Sequence, residues 1–235
     1  MANILLIETS TKACSVALSR DFSIEFYEVD HEGPNHASIL GVYVEKAMNY
    51  AREHDIEIDA VAVSSGPGSY TGLRIGVSEA KGLCFGLRKP LIAINTLQTL
   101  CCQVMFSMAE MPEDILFCPM IDARRMEVYT ALYDLALNEV RPIAAEIIDE
   151  NFVADQLEQR PILFFGDGSE KCQELIKHPN AKFIPGVRAT AKDMLALAVK
   201  AYNEGKFEDM AYFVPFYLKD FVATKSKNPL ESVQS

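Results

Sequence analysis

The 235-residue chain has no tryptophan, only four histidines and no Cys-x-x-Cys pair. Without paired cysteines at that spacing there is neither a zinc ribbon nor a thioredoxin-type dithiol. His31 and His36 lie five apart with no third ligand at a suggestive spacing, and His54 and His178 stand alone, so no metal site is expected. His36, at a helix start, is expected to cap or to lie at the surface. Positive charge is scarce: 22 Lys and Arg face 33 Asp and Glu, a net charge of −11. Gripping a phosphate backbone needs clustered cations, so a chain that clamps nucleic acid alone is excluded. No apolar run reaches the ~20 residues of a membrane span. The chain begins almost directly with a strand, without the basic start and apolar core of a signal peptide. These absences, with six cysteines in apolar surroundings, lead us to expect a soluble cytoplasmic protein with reduced, buried thiols.

What is present is a 49% hydrophobic, 23% charged composition, ordinary for a well-packed globular protein, and one unusual segment. Residues 60–64 (AVAVS) read as a buried strand, Gly66-Pro67-Gly68-Ser69 breaks the chain, and a helix follows from about Thr71 to Leu87. That helix contains Gly72, Gly76, Gly82 and Gly86, each costing roughly 1 kcal/mol relative to Ala. Gly72, Gly76 and Ala80 put small side chains on one face, where another backbone can approach closely. The glycine-rich turn also leaves N–H groups suited to an anion, with Gly68 and Ser69 as candidate phosphate contacts.

The pattern elsewhere predicts strands at 3–8, 13–18 and 22–29, and a helix over 37–54 with two apolar faces. Leu40, Val44, Ala47 and Ala51 suit the core; Ile39, Val42, Tyr43 and Tyr50 are surplus and suggest a partner or a neighbouring helix. A strand at 91–94 and a helix at 96–108 follow. Met111-Pro112-Glu113-Asp114 marks a boundary, dividing lobes 1–110 and 111–235. Beyond it the theme repeats: strands at 115–121, 127–133, 143–148 and 162–165, helices at 151–158, 168–176 and 191–203, and an aromatic tail from Ala211 expected to pack on the body. This is an α/β duplication rather than a single Rossmann sheet.

ILLIETSTKACSVAL at the start, SSGPGSYTGLRIGVSEAKGLCFGL in the middle, PMIDARRMEVYTALY after the boundary, FFGDGS and PFYLKD resemble the bacterial tRNA threonylcarbamoyladenosine biosynthesis family TsaB (YeaZ). The resemblance covers nearly the whole chain, and GPGSYTGLRIG is its most specific part. It implies the duplicated two-lobed actin-like (ASKHA, ribonuclease H-like) fold. It also implies a supporting role: TsaB-like proteins bind the catalytic subunit TsaD together with the ATPase TsaE, in a complex that transfers threonylcarbamoyl to tRNA adenosine. Under that resemblance this chain needs no cofactor, ATP or ADP and a metal belong to the partner or a joint interface, and tRNA is met only through the complex. The first-lobe helices are then the contact with TsaD or with a second copy: Ile39, Tyr43, Tyr50, Gly72, Leu73, Gly76, Ala80 and Leu83.

Two turns correspond to the phosphate-handling turns of kinases with this fold. The first, Glu8-Thr9-Ser10-Thr11, carries Glu where the family more commonly has Asp, and Ser10 where Gly would admit a phosphate; Ser10 and Thr11 remain candidate contacts. The second, Asp122-Ala123-Arg124-Arg125, keeps a carboxylate but has lost the glycines, so Asp122 and Arg124 read as structural or interface residues. Gly166-Asp167-Gly168 reads as a tight turn with Asp167 or Ser169 as an N-cap. The rivals are an ATP-dependent kinase using Glu8 and Asp122, and a peptidase. Ser69 and Thr71 lack a visible His/Asp pair, which weakens the latter.

Overall fold

The computed structural model describes residues 2–33 and 35–219. Two five-stranded sheets organise the described residues. In the first, β1 (Ile4–Glu8), β2 (Cys14–Arg20), β3 (Ser23–Asp30), β4 (Ala60–Gly66) and β5 (Leu91–Asn95) run in the order β3-β2-β1-β4-β5. In the second, β6 (Leu116–Asp122), β7 (Glu127–Tyr133), β8 (Glu139–Ile147), β9 (Ile162–Phe165) and β10 (Ala181–Ile184) run in the order β10-β9-β6-β7-β8. Read from the opposite edge, the second order repeats the first: an antiparallel meander of three, then two parallel strands. The duplication expected from the sequence is thus present strand for strand.

Among the described residues five α-helices cover the sheets: α1 (His36–Glu53), α2 (Tyr70–Leu87), α3 (Thr96–Ser107), α4 (Ala154–Gln159) and α5 (Leu195–Asn203). β1 is buried along its whole length because both faces of its sheet are covered, which is why it reads as an unbroken apolar run. On one face Leu5, Ile7 and Val63 meet Leu40, Val44 and Ala47 of α1 and Val77 and Ala80 of α2. On the other, Ile4, Leu6 and Ile92 meet Ala191, Met194, Ala198 and Val199. Meanwhile α3 lays Leu97, Leu100 and Val104 on Phe117, Ile121 and Phe165 of the second sheet. The 110/111 division therefore separates the strands, but each sheet borrows a helix from the other half of the chain.

Some elements differ from the sequence reading. The helix expected at 168–176 is a single 3-10 turn, Glu170–Cys172. Only Cys172 and Ile176 in its later part are buried, a stripe too narrow to hold several turns. β8 starts four residues early and passes through Pro142, which an edge strand tolerates because one side of its backbone needs no ladder partner. β10 was not foreseen; its Phe183 stacks on Phe164 with ring centres 5.0 Å apart. The tail packs on the body only in part: Phe213 joins the first core and Phe216 N–H donates to Ser65 O at 2.7 Å, while Tyr212 and Val214 are 82% and 68% exposed. Asp220 and Phe221, the last residues of that tail, lie outside the described residues. His36 corrects its surface assignment: it is buried, with Nε2 3.3 Å from Ala13 O. All six cysteines are buried and free, and burial pushes the Cys14 and Cys118 thiols up to about 12. No helix among the described residues is long and apolar enough to cross a membrane.

Candidate functional site: two related turns and an open helix face

The first turn is sealed. β1 ends at Glu8, and the chain then passes directly beneath the start of α2. Ser69 caps that helix, accepting from Gly72 N–H at 3.2 Å, while its own N–H donates to Ser10 O at 2.6 Å. Thr9 Oγ1 donates to Gly72 O at 2.8 Å. A methyl group added to Gly68, Gly72 or Gly76 would overlap Ser10 O, Thr9 O or Thr9 Oγ1. This close approach is the compensation for two of the helix glycines, Gly72 and Gly76, and for Gly68 in the turn before them. It also corrects the sequence reading: Gly72, Leu73, Gly76 and Ala80 are buried inside the lobe, so they present no partner surface in this fold. The candidate phosphate residues Ser10, Thr11, Gly68 and Ser69 are brought together, but the Ser69 and Gly72 N–H groups are taken up by Ser10 and Ser69. Ser10 and Thr11 are themselves buried, which leaves no open cradle.

Glu8 lies under this seal at 0% exposure. Its Oε1 accepts from Ser10 N–H at 2.6 Å, and its Oε2 has no partner among the described residues. Burial pushes its carboxyl above the ordinary value of 4.5, opposed in part by the surrounding polar groups of Ser10, Ser64 and Thr9.

The second turn is open. Gly166, with φ 101°, packs against Met120 O, whereas Gly66, with φ 108°, packs against Phe216 O and Leu73. Asp167 is not a helix cap. Its Oδ1 accepts from Asp122 N–H at 2.9 Å, and burial raises its pKa, opposed by nearby Arg188 and Lys12. Ser169 donates to Gly166 O at 2.8 Å rather than capping the 3-10 turn. Exposed Asp122 accepts from Arg124 N–H at 3.0 Å and pairs with Lys171. Arg124 and Arg125 adopt φ 73° and 50°, in the left-handed region. Among the described residues no group of three His, Cys, Asp or Glu side chains is placed to hold a metal.

The outer faces of α1 and α2 lie side by side. Ile39, Tyr43, Tyr50 and Leu83 are only partly exposed and pack against the first core; Tyr50 also stacks on His54, ring centres 3.9 Å apart. The open strip is instead Gly82, Phe85 and Gly86 on the last turns of α2, Phe85 being 79% exposed; Gly41 and Val42 on α1 are exposed as well. A side chain added at any of these three glycines would meet nothing within 4 Å. The sequence carried a signal for it: Gly82 and Gly86 share the i, i+4 spacing on a different helix face from Gly72 and Gly76.

A family model described as TsaD, tRNA N6-adenosine threonylcarbamoyltransferase, matches residues 32–227. Relatives matched over most of their own length carry the TsaB name. The tRNA threonylcarbamoyladenosine biosynthesis protein TsaB of Escherichia coli (strain K12) is 30% identical over 229 residues, 94% of this chain and 96% of the relative. TsaB of Bacillus subtilis (strain 168) is 33% identical over 183 residues, 74% and 75%. The chain belongs to the TsaB (YeaZ) family. Among solved structures, YeaZ from Pseudomonas aeruginosa superposes on this TsaB-family chain with a TM-score of 0.79 at 27% identity, covering 93% of it and 100% of YeaZ. The inorganic polyphosphate/ATP-glucomannokinase of Arthrobacter sp. strain KM superposes at 0.52 with 9% identity, covering 87% of this chain and 100% of the kinase. That likeness shows the two-lobed kinase-type fold alone.

Proposed function

We propose that this chain is a non-catalytic scaffold in tRNA threonylcarbamoyladenosine biosynthesis, binding and activating a TsaD-like catalytic subunit. The observation that carries the reading is the sealed first turn. Where a kinase of this fold opens a cradle for phosphate and metal, this chain places buried Glu8 beneath the α2 glycines. At the far end of the same helix lies an open strip of small and aromatic residues, Gly82, Phe85 and Gly86, where another helix can come close. In this reading a TsaD-like subunit or a second copy of the chain covers the strip. A TsaE-like ATPase joins the assembly, nucleotide and metal belong to the partner or the joint interface, and tRNA is met through the complex. The test is Phe85→Glu, at an exposed position that the fold does not need. It should leave the melting temperature unchanged and abolish co-elution with the TsaD-like subunit; unchanged pairing would remove this face from the scaffold.

A further inference from the structure

The β6–β7 turn carries chemistry that the scaffold reading does not use. Arg124 and Arg125 are exposed, and neither guanidinium has an ion pair or hydrogen bond among the described residues. Their backbone is held from behind: Ala123 N–H donates to Glu127 O, Glu127 N–H to Arg124 O, and Lys171 Nζ to the carbonyls of Arg125 and Glu127, both at 2.7 Å. Two successive left-handed arginines, where Asn-Gly is the unstrained choice, are thereby fixed with their side chains outward. Beside them lies an apolar floor. Glu127 pairs with Ile147 across the ladder and Ile148 N–H donates to Met126 O at 3.1 Å, so Met126 and Ile147 are neighbours, 36% and 75% exposed. Together with Ala123, Glu127 and Lys219 they line an open depression of about 670 Å³. Lys219 pairs with Glu127 and neutralises the one carboxylate in the lining.

A basic rim over an apolar floor, on a chain of net charge −11, is complementary to one kind of partner. We propose that this depression docks an acidic segment of a partner protein, its carboxylates on Arg124 and Arg125 and a bulky apolar side chain on Met126 and Ile147. Arginine and methionine around an apolar centre are the residues enriched in protein interfaces. A phosphate backbone draws its affinity from cations alone and has no use for exposed Ile147. Moreover, exposed Asp149 and Glu150 follow β8 directly and repel a continuous polyanion. The inference goes beyond the scaffold reading and takes from it only its probes.

The test uses the full chain and three probes: the TsaD-like subunit, the TsaE-like ATPase and an unmodified tRNA transcript, each titrated calorimetrically at low and high salt. Arg124→Glu/Arg125→Glu should weaken binding of one protein probe by about tenfold or more, with the difference shrinking at high salt. Ile147→Ser should weaken the same probe with little salt dependence. Unaltered binding of both protein probes, or an effect confined to the tRNA, overturns the proposal. Phe85→Glu, run in parallel, reports on the scaffold face independently, so failure at the arginines and failure at α2 are distinguishable.

Discussion

The two lobes repeat one strand order and put a left-handed glycine, Gly66 or Gly166, at the end of the parallel strand next to the central one, yet their turns have opposite fates. In the first lobe the 18-residue α2 roofs the turn, and its glycines bring helix backbone onto Thr9 and Ser10. In the second the corresponding roof has shrunk to a three-residue 3-10 turn, leaving Asp122, Arg124 and Arg125 at the surface. The difference teaches that one strand order can carry two unlike turns. One is packed shut by glycines, and the other is exposed and lined with bulky, charged residues.

That contrast can be broken most sharply at Gly72. Gly72→Ala forces a methyl onto the Thr9 carbonyl, backbone against backbone, and should cost about 3 kcal/mol in urea unfolding. A neutral outcome would mean the seal is loose. Glu8→Gln comes next. Because burial raises the Glu8 pKa in the folded state, folding favours its protonated form. Its contribution to stability is therefore fully present below the ordinary 4.5 and is lost as pH rises beyond it. The amide does not titrate, so Glu8→Gln should raise the melting temperature at pH 7 and converge with the parent below about pH 4.5. On the open side, Lys171→Met removes a partly exposed pair with Asp122 and should cost about 1 kcal/mol, less at high salt. The smallest effect is expected at Gly82, where a methyl meets nothing: Gly82→Ala should stabilise α2 by roughly 0.5–1 kcal/mol, the reverse of Gly72 on the same helix.

Much of the fold was legible because the central strands are apolar on both faces and the turns between them carry glycine or proline. Leu40, Val44, Ala47 and Ala51 were assigned to the core by periodicity alone, and they are buried. The direction in which the α2 glycines point was not legible. Gly72, Gly76, Gly82 and Gly86 look alike in the sequence, and only the position of Thr9 decides which pair is inside. The exchange of α3 and α5 between sheets was equally hidden, since periodicity reports that a helix has an apolar face and not which sheet receives it. β10 escaped because its four residues are half-buried on an edge, where alternation is weak.

The measurement that tests the account most directly is threonylcarbamoylation of tRNA in a mixture of the TsaD-like subunit, the TsaE-like ATPase and a separate enzyme that supplies the threonylcarbamoyl group as its adenylate, with and without this chain. ATP turnover by the chain alone is followed in parallel. The sealed turn predicts modification only when the chain is present and no turnover in isolation. Undiminished modification in its absence, or sustained ATP hydrolysis by the pure chain that Glu8→Gln abolishes, would contradict the account.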